Sequence, residues 1–288
     1  MRKVLVTGAT GFIGPYVIRR LLQTGHAVIA SSANREKARS QPWYSEVNYV
    51  PLDLSTVSSG VDYFDLFGRP DLLIHLAWEG LPNYRAAFHV EENLPRHSLF
   101  LSSLVRGGLK DLTVTGTCLE YGLQEGCLSE DLPVRPANPY AIAKHELYLF
   151  LRRLQEEVPF SLKWARLFYM YGKGQNPNSL FSQLDKALSD QETVFNMSGG
   201  QQIRDYLPVE TVAQLLARMA CQTKVTGIIN CCSGVPVTVK EMVDNYLAAS
   251  GQTIRLNTGY YPYPDYEPFR FWGDASKLNT ILHDRSEQ

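Results

Sequence analysis

Apolar positions along the chain fall into two alternating patterns. Short runs with β-branched character recur at Val4-Leu5-Val6, at residues 26–30, 47–50, 71–77 and 111–115, and at residues 162–168. Runs of this length and character read as strands buried on both faces. Between them lie segments with apolar residues at helical spacing. Residues 12–22 carry Ile13, Val17, Ile18, Leu21 and Leu22 on one face. Residues 84–105 form a long helical candidate, which Pro95 should break or kink. A further helix begins at Asn138-Pro139-Tyr140 and runs to about Glu157. This alternation predicts an α/β fold with a doubly wound parallel sheet covered on both faces. The composition changes at residues 171–177, and shorter elements then mix with loops. Helices are expected over 179–189, up to about Cys221, and over 239–249. Extended pieces are expected at 202–209 and 228–231, then an aromatic loop at 260–266. Residues 269–274 lead to a short final helix.

The glycines decide what the first strand is for. Gly8, Gly11 and Gly14 follow Val6 at three-residue intervals, where a strand turns into a helix, and Pro15 falls in that helix's first turn. Side chains at these places would keep a pyrophosphate away from backbone N–H groups and the positive end of the helix dipole. The pattern predicts a Rossmann-type dinucleotide site. Residues 1–168 are therefore expected to be an NAD(P)-binding domain, to which residues 204–232 return. Residues 169–288 are expected to be mainly a smaller C-terminal substrate-binding lobe. At the end of the second strand, where an NAD-preferring fold places Asp or Glu, the chain has Ser31, Ser32 and, shortly after, Arg35. Hydroxyls and a guanidinium suit a 2′-phosphate, which favours NADP(H). NAD(H) stays open, because Arg35 also fits a solvated helix start with Lys37 and Arg39.

Composition narrows the partners. A formal net charge of −1 gives no broad basic field for nucleic acid or an anionic membrane. No apolar run approaches the roughly 18 residues of a membrane span. The five cysteines have no metal-type spacing and read as reduced thiols of a cytoplasmic protein, with no metal centre.

Thr117, Tyr140 and Lys144 carry the candidate chemistry. Tyr140 and Lys144 are four residues apart and share a helix face. An ammonium there, backed by a positive nicotinamide, should favour the phenolate and lower the tyrosine pKa. Such a phenol exchanges a proton with a sugar hydroxyl or carbonyl, and a threonine hydroxyl can bond the same oxygen. His75, inside an apolar run, reads as a packed strand residue.

Taken together, these motifs resemble an extended short-chain dehydrogenase/reductase of the nucleotide-sugar epimerase/dehydratase type, over nearly the whole chain. The resemblance implies that Gly8, Thr10, Gly11, Phe12 and Ile13 form the cofactor loop, and that Asp53 and Leu54 contact adenine. It makes Leu76 and Ala77 the segment after the fourth strand, places Asn93 near the family's helix asparagine, and gives Thr117, Tyr140 and Lys144 the catalytic roles. Tyr140 and Lys144 thereby also touch the cofactor, and Thr117 and Tyr140 the substrate. Arg204 and Arg270 correspond to basic positions that hold the substrate's diphosphate. Family members often dimerise through two helices of the first lobe, so a homodimer is open. The chain departs from the family pattern in three places. Leu119, preceded by Cys118, stands where dehydratases carry an acid; Glu120 is one position off; and Tyr169 follows Phe168 where epimerases often have asparagine. The expected function is NADPH-dependent reduction of a keto group, at C4, of a nucleotide-linked 6-deoxyhexulose. An NAD-dependent nucleotide-sugar 4-epimerase is the alternative. A dinucleotide-binding sensor or scaffold is the non-enzymatic one.

Overall fold

The computed structural model describes residues 1–265 and 267–283. Tyr266, part of the expected aromatic loop, lies outside the described residues, as do 284–288. The strands met first are β1 (Lys3–Thr7), β2 (Ala27–Ser31), β3 (Asn48–Tyr49), β4 (Leu72–His75), β5 (Asp111–Thr117), β6 (Gly126–Leu128), β7 (Ser161–Leu167) and β8 (Tyr169–Tyr171). The helices are α1 (Gly14–Gln23), α2 (Arg35–Arg39), α3 (Tyr63–Leu66), α4 (Leu94–Gly107), α5 (Pro139–Glu157), α6 (Leu180–Ser189), α7 (Val209–Cys221), α8 (Val239–Ser250) and α9 (Ser276–His283).

Val4, Leu5 and Val6 are fully buried because β1 sits in the middle of a seven-stranded parallel sheet. Its order is Gly227–Cys231, β7, β5, β4, β1, β2, β3. The chain winds outward from β1 to β3, returns to β4 and winds the other way, so its direction reverses between β1 and β4. Such a reversal opens a crevice at the carboxyl ends of the strands, where ligands bind. The register aligns those ends: Thr7 pairs with Ser31 on one side and with His75 on the other. On one face α1 and α7 bury Val17, Ile18, Leu21, Val212 and Leu216. On the other, α4 and α5 bury Phe100, Leu104, Leu147 and Leu151. Each such side chain contributes roughly 1.5–3 kcal/mol relative to exposure. A further cluster joins α6 and α8 through Phe181, Leu184, Val243 and Leu247. Among the described residues no helix is long and apolar enough to cross a membrane.

Two expectations change. The long helix expected over 84–105 is shorter: a π turn at His89–Asn93 leads into α4. Pro95 lies in the first turn of α4, directly after that π turn, so the helical path changes where Pro95 was expected to break or kink it. The third strand shrinks to Asn48–Tyr49, a sheet edge paired on one side only.

Candidate active site

Two hollows flank the carboxyl edge of the sheet. The first, about 180 Å³, is lined by Gly8, Gly11, Ser31, Ser32, Leu54, Leu76 and Ala77, with Thr7, Ala33, Leu52, Trp78 and Glu79. The glycines are required here. Gly8 has φ +70°, and a Cβ on it would lie 2.8 Å from the Ala77 nitrogen; one on Gly14 would lie 2.4 Å from the Gly8 carbonyl oxygen. The bare backbone at the start of α1 therefore fits a dinucleotide pyrophosphate. Thr10 is buried beside the loop, and Phe12 and Ile13 lead half-buried into α1. Ser31 is buried, and Ser32 exchanges a 3.1 Å hydrogen bond with Tyr49. Arg35 is exposed as the first residue of α2. The Asp53 carboxylate accepts from the Ser55 nitrogen at 2.8 Å, and its bonds to Ser55 hold its pKa below the ordinary value.

Thr117 ends β5, and its hydroxyl accepts from the Leu119 nitrogen at 3.2 Å; it stands near enough to the Tyr140 phenol to offset part of the rise in that phenol's pKa. Tyr140 lies in the first turn of α5, which Asn138 caps through the Ala141 nitrogen at 2.9 Å. The Tyr140 nitrogen donates to the Tyr84 carbonyl at 3.1 Å, tying that loop to the helix start. Lys144 follows one turn on, and its Nζ donates to the Thr115 carbonyl at 2.9 Å. The three expected catalytic residues thus stand together. Tyr140 is 7% exposed, and burial, followed by Tyr84, raises its pKa. Burial likewise lowers Lys144 to about 7. Both shifts belong to the protein without cofactor, whereas the expected lowering of the tyrosine rests on a positive nicotinamide beside it.

The second hollow, a cleft of about 630 Å³, runs from Pro82–Arg85 and Asn138 past Tyr169 and Tyr206 to Gln175, Asn176 and Phe181. Tyr84, Arg85 and Tyr206 had no distinguishing mark in the sequence; only Tyr169 stood out, as a departure. Its hydroxyl donates to Glu267. The two arginines differ in how open they are. Arg204 is 2% exposed; its guanidinium holds Glu267 Oε1 at 3.0 Å and donates to the carbonyls of Ile203 and Phe269 at 2.8 and 3.0 Å. Its fork is engaged within the protein instead of open to a diphosphate, because Glu267 is folded against it. Arg270 is exposed at the neighbouring bridge to Ile203.

Glu120 faces away from the cleft. It is 0% exposed and accepts from the Thr117 nitrogen at 2.9 Å, Trp164 Nε1 at 3.0 Å and Arg166 Nε at 3.0 Å. No bulge turns it toward substrate; it closes a capping box with Thr117 and holds the end of β5. Burial pushes the neighbouring Cys118 thiol upward, away from the reactive thiolate. His75 is packed as expected, bonded to Thr7 Oγ1 and His97 Nδ1 at 2.8 Å each.

Residues 4–232 match the NAD dependent epimerase/dehydratase family. The chain belongs to that family. This epimerase/dehydratase-family chain is 31% identical over 272 residues to dTDP-6-deoxy-L-talose 4-dehydrogenase (NAD(+)) of Aggregatibacter actinomycetemcomitans, covering 94% of this chain and 98% of that one. It is 26% identical over 287 residues to the GDP-6-deoxy-D-talose 4-dehydrogenase of the same organism, covering 97% and 91%. Among solved structures, MoeE5 in complex with UDP-glucose and NAD matches with a TM-score of 0.81 at 25% identity, over 97% of this chain and 92% of that one. The chain is thus an enzyme of the NAD-dependent nucleotide-sugar oxidoreductase and epimerase kind.

Proposed function

We propose that the protein moves a hydride between a nicotinamide dinucleotide and C4 of a nucleotide-diphosphate-linked 6-deoxyhexose, working as a 4-ketoreductase. The observation that carries this reading is the absence of a free carboxylate, among the described residues, in the turn after β5 where a dehydratase carries its acid. Tyr140 and Thr117 are both buried there, and Glu120 is closed off behind them in its pair with Arg166. A single proton transfer at a carbonyl oxygen needs one acid, whereas elimination of water needs further groups. Cys118 and Leu119 supply none. The names of two relatives, both 4-dehydrogenases of 6-deoxytalose nucleotides, support the same carbon and sugar class.

When bound across the glycine loop, the nicotinamide dinucleotide supplies or accepts the hydride. Tyr140 gives its phenolic proton to O4 as the carbonyl becomes an alcohol, and Thr117 hydrogen-bonds the same oxygen and holds the sugar's angle. Lys144, buried beneath, stabilises the phenolate left behind. We read residues 169–288, apart from the returning segment, as the lobe that holds the nucleotide and sugar, because α6 and Tyr169 form one wall of the cleft. For the cofactor, the absent carboxylate and Arg35 at the end of β2 support NADP(H). The name of the 31% identical relative, which specifies NAD(+), favours NAD(H) as the second reading.

The test is incubation with dTDP- and GDP-linked 4-keto-6-deoxyhexoses and either reduced cofactor. The expected result is stoichiometric oxidation of one of them, with a 6-deoxyhexose product. A 4-keto-6-deoxy product or a 4-epimer formed from unmodified nucleotide hexoses would overturn the reading in favour of a dehydratase or an epimerase.

A further inference from the structure

Trp78 stands at the seam of the two hollows. It lines the dinucleotide hollow, and its ring meets the Tyr140 ring edge-on at 6.0 Å and 69°. The Lys144 ammonium lies 4.1 Å from the indole centroid. Lys144 is 1% exposed, so its three N–H bonds have little water to turn to. The Thr115 carbonyl takes one, and the indole face offers the other attraction.

The indole is held in place at its edge and across its face. Its Nε1 donates to His89 Nδ1 at 3.1 Å, and the Asn93 amide approaches the same nitrogen at 3.4 Å. With Nδ1 accepting, His89 carries its proton on Nε2 and donates to the Asn83 carbonyl at 2.9 Å. The indole also lies nearly parallel to His97 at 4.5 Å, and His97 is bonded to His75 at 2.8 Å and to Glu79 at 3.2 Å. Asn83 belongs to the loop that lines the substrate cleft. A connected set of bonds therefore runs from the cleft loop through His89 and Trp78 to the buried lysine.

We propose that Trp78, held by His89, is a positioning residue that keeps the Lys144 ammonium charged and seated beneath Tyr140. This rests on the reading of Tyr140 and Lys144 as the acid/base pair. The charged and titratable groups facing Lys144 come from the neighbouring elements: Glu120 after β5, Glu79 after β4, His75 on β4, His89 before α4 and His97 on α4, with Tyr140 one turn earlier on its own helix. The two carboxylates favour the ammonium, and burial opposes it. The ring face adds to the carboxylates' side, because its negative quadrupole attracts a cation.

The test replaces Trp78 site-specifically with tryptophans of rising fluorine content, which keep the shape and the N–H while weakening the ring's negative face. Lys144 is followed in the protein without cofactor by NMR of isotopically labelled lysine, its signal assigned with Lys144→Met. The titration midpoint should fall stepwise with fluorination, by about one unit for the most fluorinated ring. In turnover of dTDP-linked 6-deoxytalose, the limb at which oxidation switches on should move to higher pH, since a neutral lysine no longer favours the phenolate. Trp78→Phe, which keeps a face but loses the bond to His89, should fall between wild type and Trp78→Leu. A midpoint and a limb that ignore fluorination overturn the inference. Tyr140→Phe separates the two claims. If it retains turnover, the acid/base reading itself fails; if it is inactive while fluorination moves nothing, the Trp78 inference fails alone.

Discussion

Replacing Glu120 by glutamine should unfold the protein more easily and, because that carboxylate favours the Lys144 ammonium, move the pH limb of turnover upward while leaving the plateau kcat of the folded fraction in place. The carboxylate accepts three hydrogen bonds in a site closed to water, and Arg166 is as fully buried as its partner. One carboxylate oxygen takes Thr117 N and shares Trp164 Nε1; the other faces Trp164 Nε1 and Arg166 Nε. A glutamine amide can keep the first oxygen but must turn its NH₂ toward Arg166, setting donor against donor. The guanidinium, 4.5 Å from the Tyr121 ring centroid, then keeps only that ring to offset its charge. Removing one partner of a buried ion pair costs about 3–5 kcal/mol. At roughly 2–4 °C per kcal/mol for a large domain, the melting temperature should fall on the order of 10 °C. Scanning calorimetry measures the fall, and kcat at a temperature where both proteins are folded measures the chemistry. An unchanged melting temperature with kcat lost would mean that Glu120 acts on substrate, and would reopen the dehydratase reading.

Three more outcomes follow from the same site. Tyr140→Phe should keep the fold and cofactor affinity but lose about 10²–10⁴ in turnover, the size of general acid–base catalysis; single-turnover rates within a few-fold of wild type would rule out the role. Arg35→Ala should weaken NADPH binding by roughly tenfold or more, as for a lost hydrogen bond to a charged group, and spare NADH; equal wild-type affinity for both cofactors, by calorimetric titration, would count against a 2′-phosphate contact. Lys144→Met should stabilise the protein most at and below neutral pH. The folded pKa of about 7 lies below the unfolded value of about 10.4, so the buried charge costs most where both states are protonated. That gain should shrink between about pH 7 and 10 in denaturant titrations, and a gain that grows over this range would reverse the assignment.

Much of the sheet was legible because its signals are local. Val4 to Val6 can only be an interior strand, and the three glycines after them have few uses other than a tight approach to backbone or ligand. The spacing of Tyr140 and Lys144 likewise placed both on the buried side of one helix. What sequence reading missed depends on partners far away along the chain. Arg204 was taken for an open phosphate fork because Glu267, which engages it, has no sequence mark of its own. The indole of Trp78 gains its neighbours only when the segment after β4 folds against the turn before α4. The burial of Tyr140 was hidden for a related reason: spacing shows the nearby cation, while desolvation depends on how tightly Trp78, Tyr84 and His89 close around the ring.

The last strand of the seven-stranded sheet, Gly227–Cys231, is threaded back into it after the chain has already built much of the cleft's outer wall. A chain cut after Leu167 would keep the glycine loop, Thr117, Tyr140 and Lys144, yet it would bare the β7 edge and strip α7 from the apolar face it shares with α1. An unpaired hydrophobic edge of this kind invites aggregation. The first 167 residues are thus hostage to a strand and a helix that the later part of the chain supplies. A lineage built on this topology cannot discard its later half and survive as a bare glycine-loop unit.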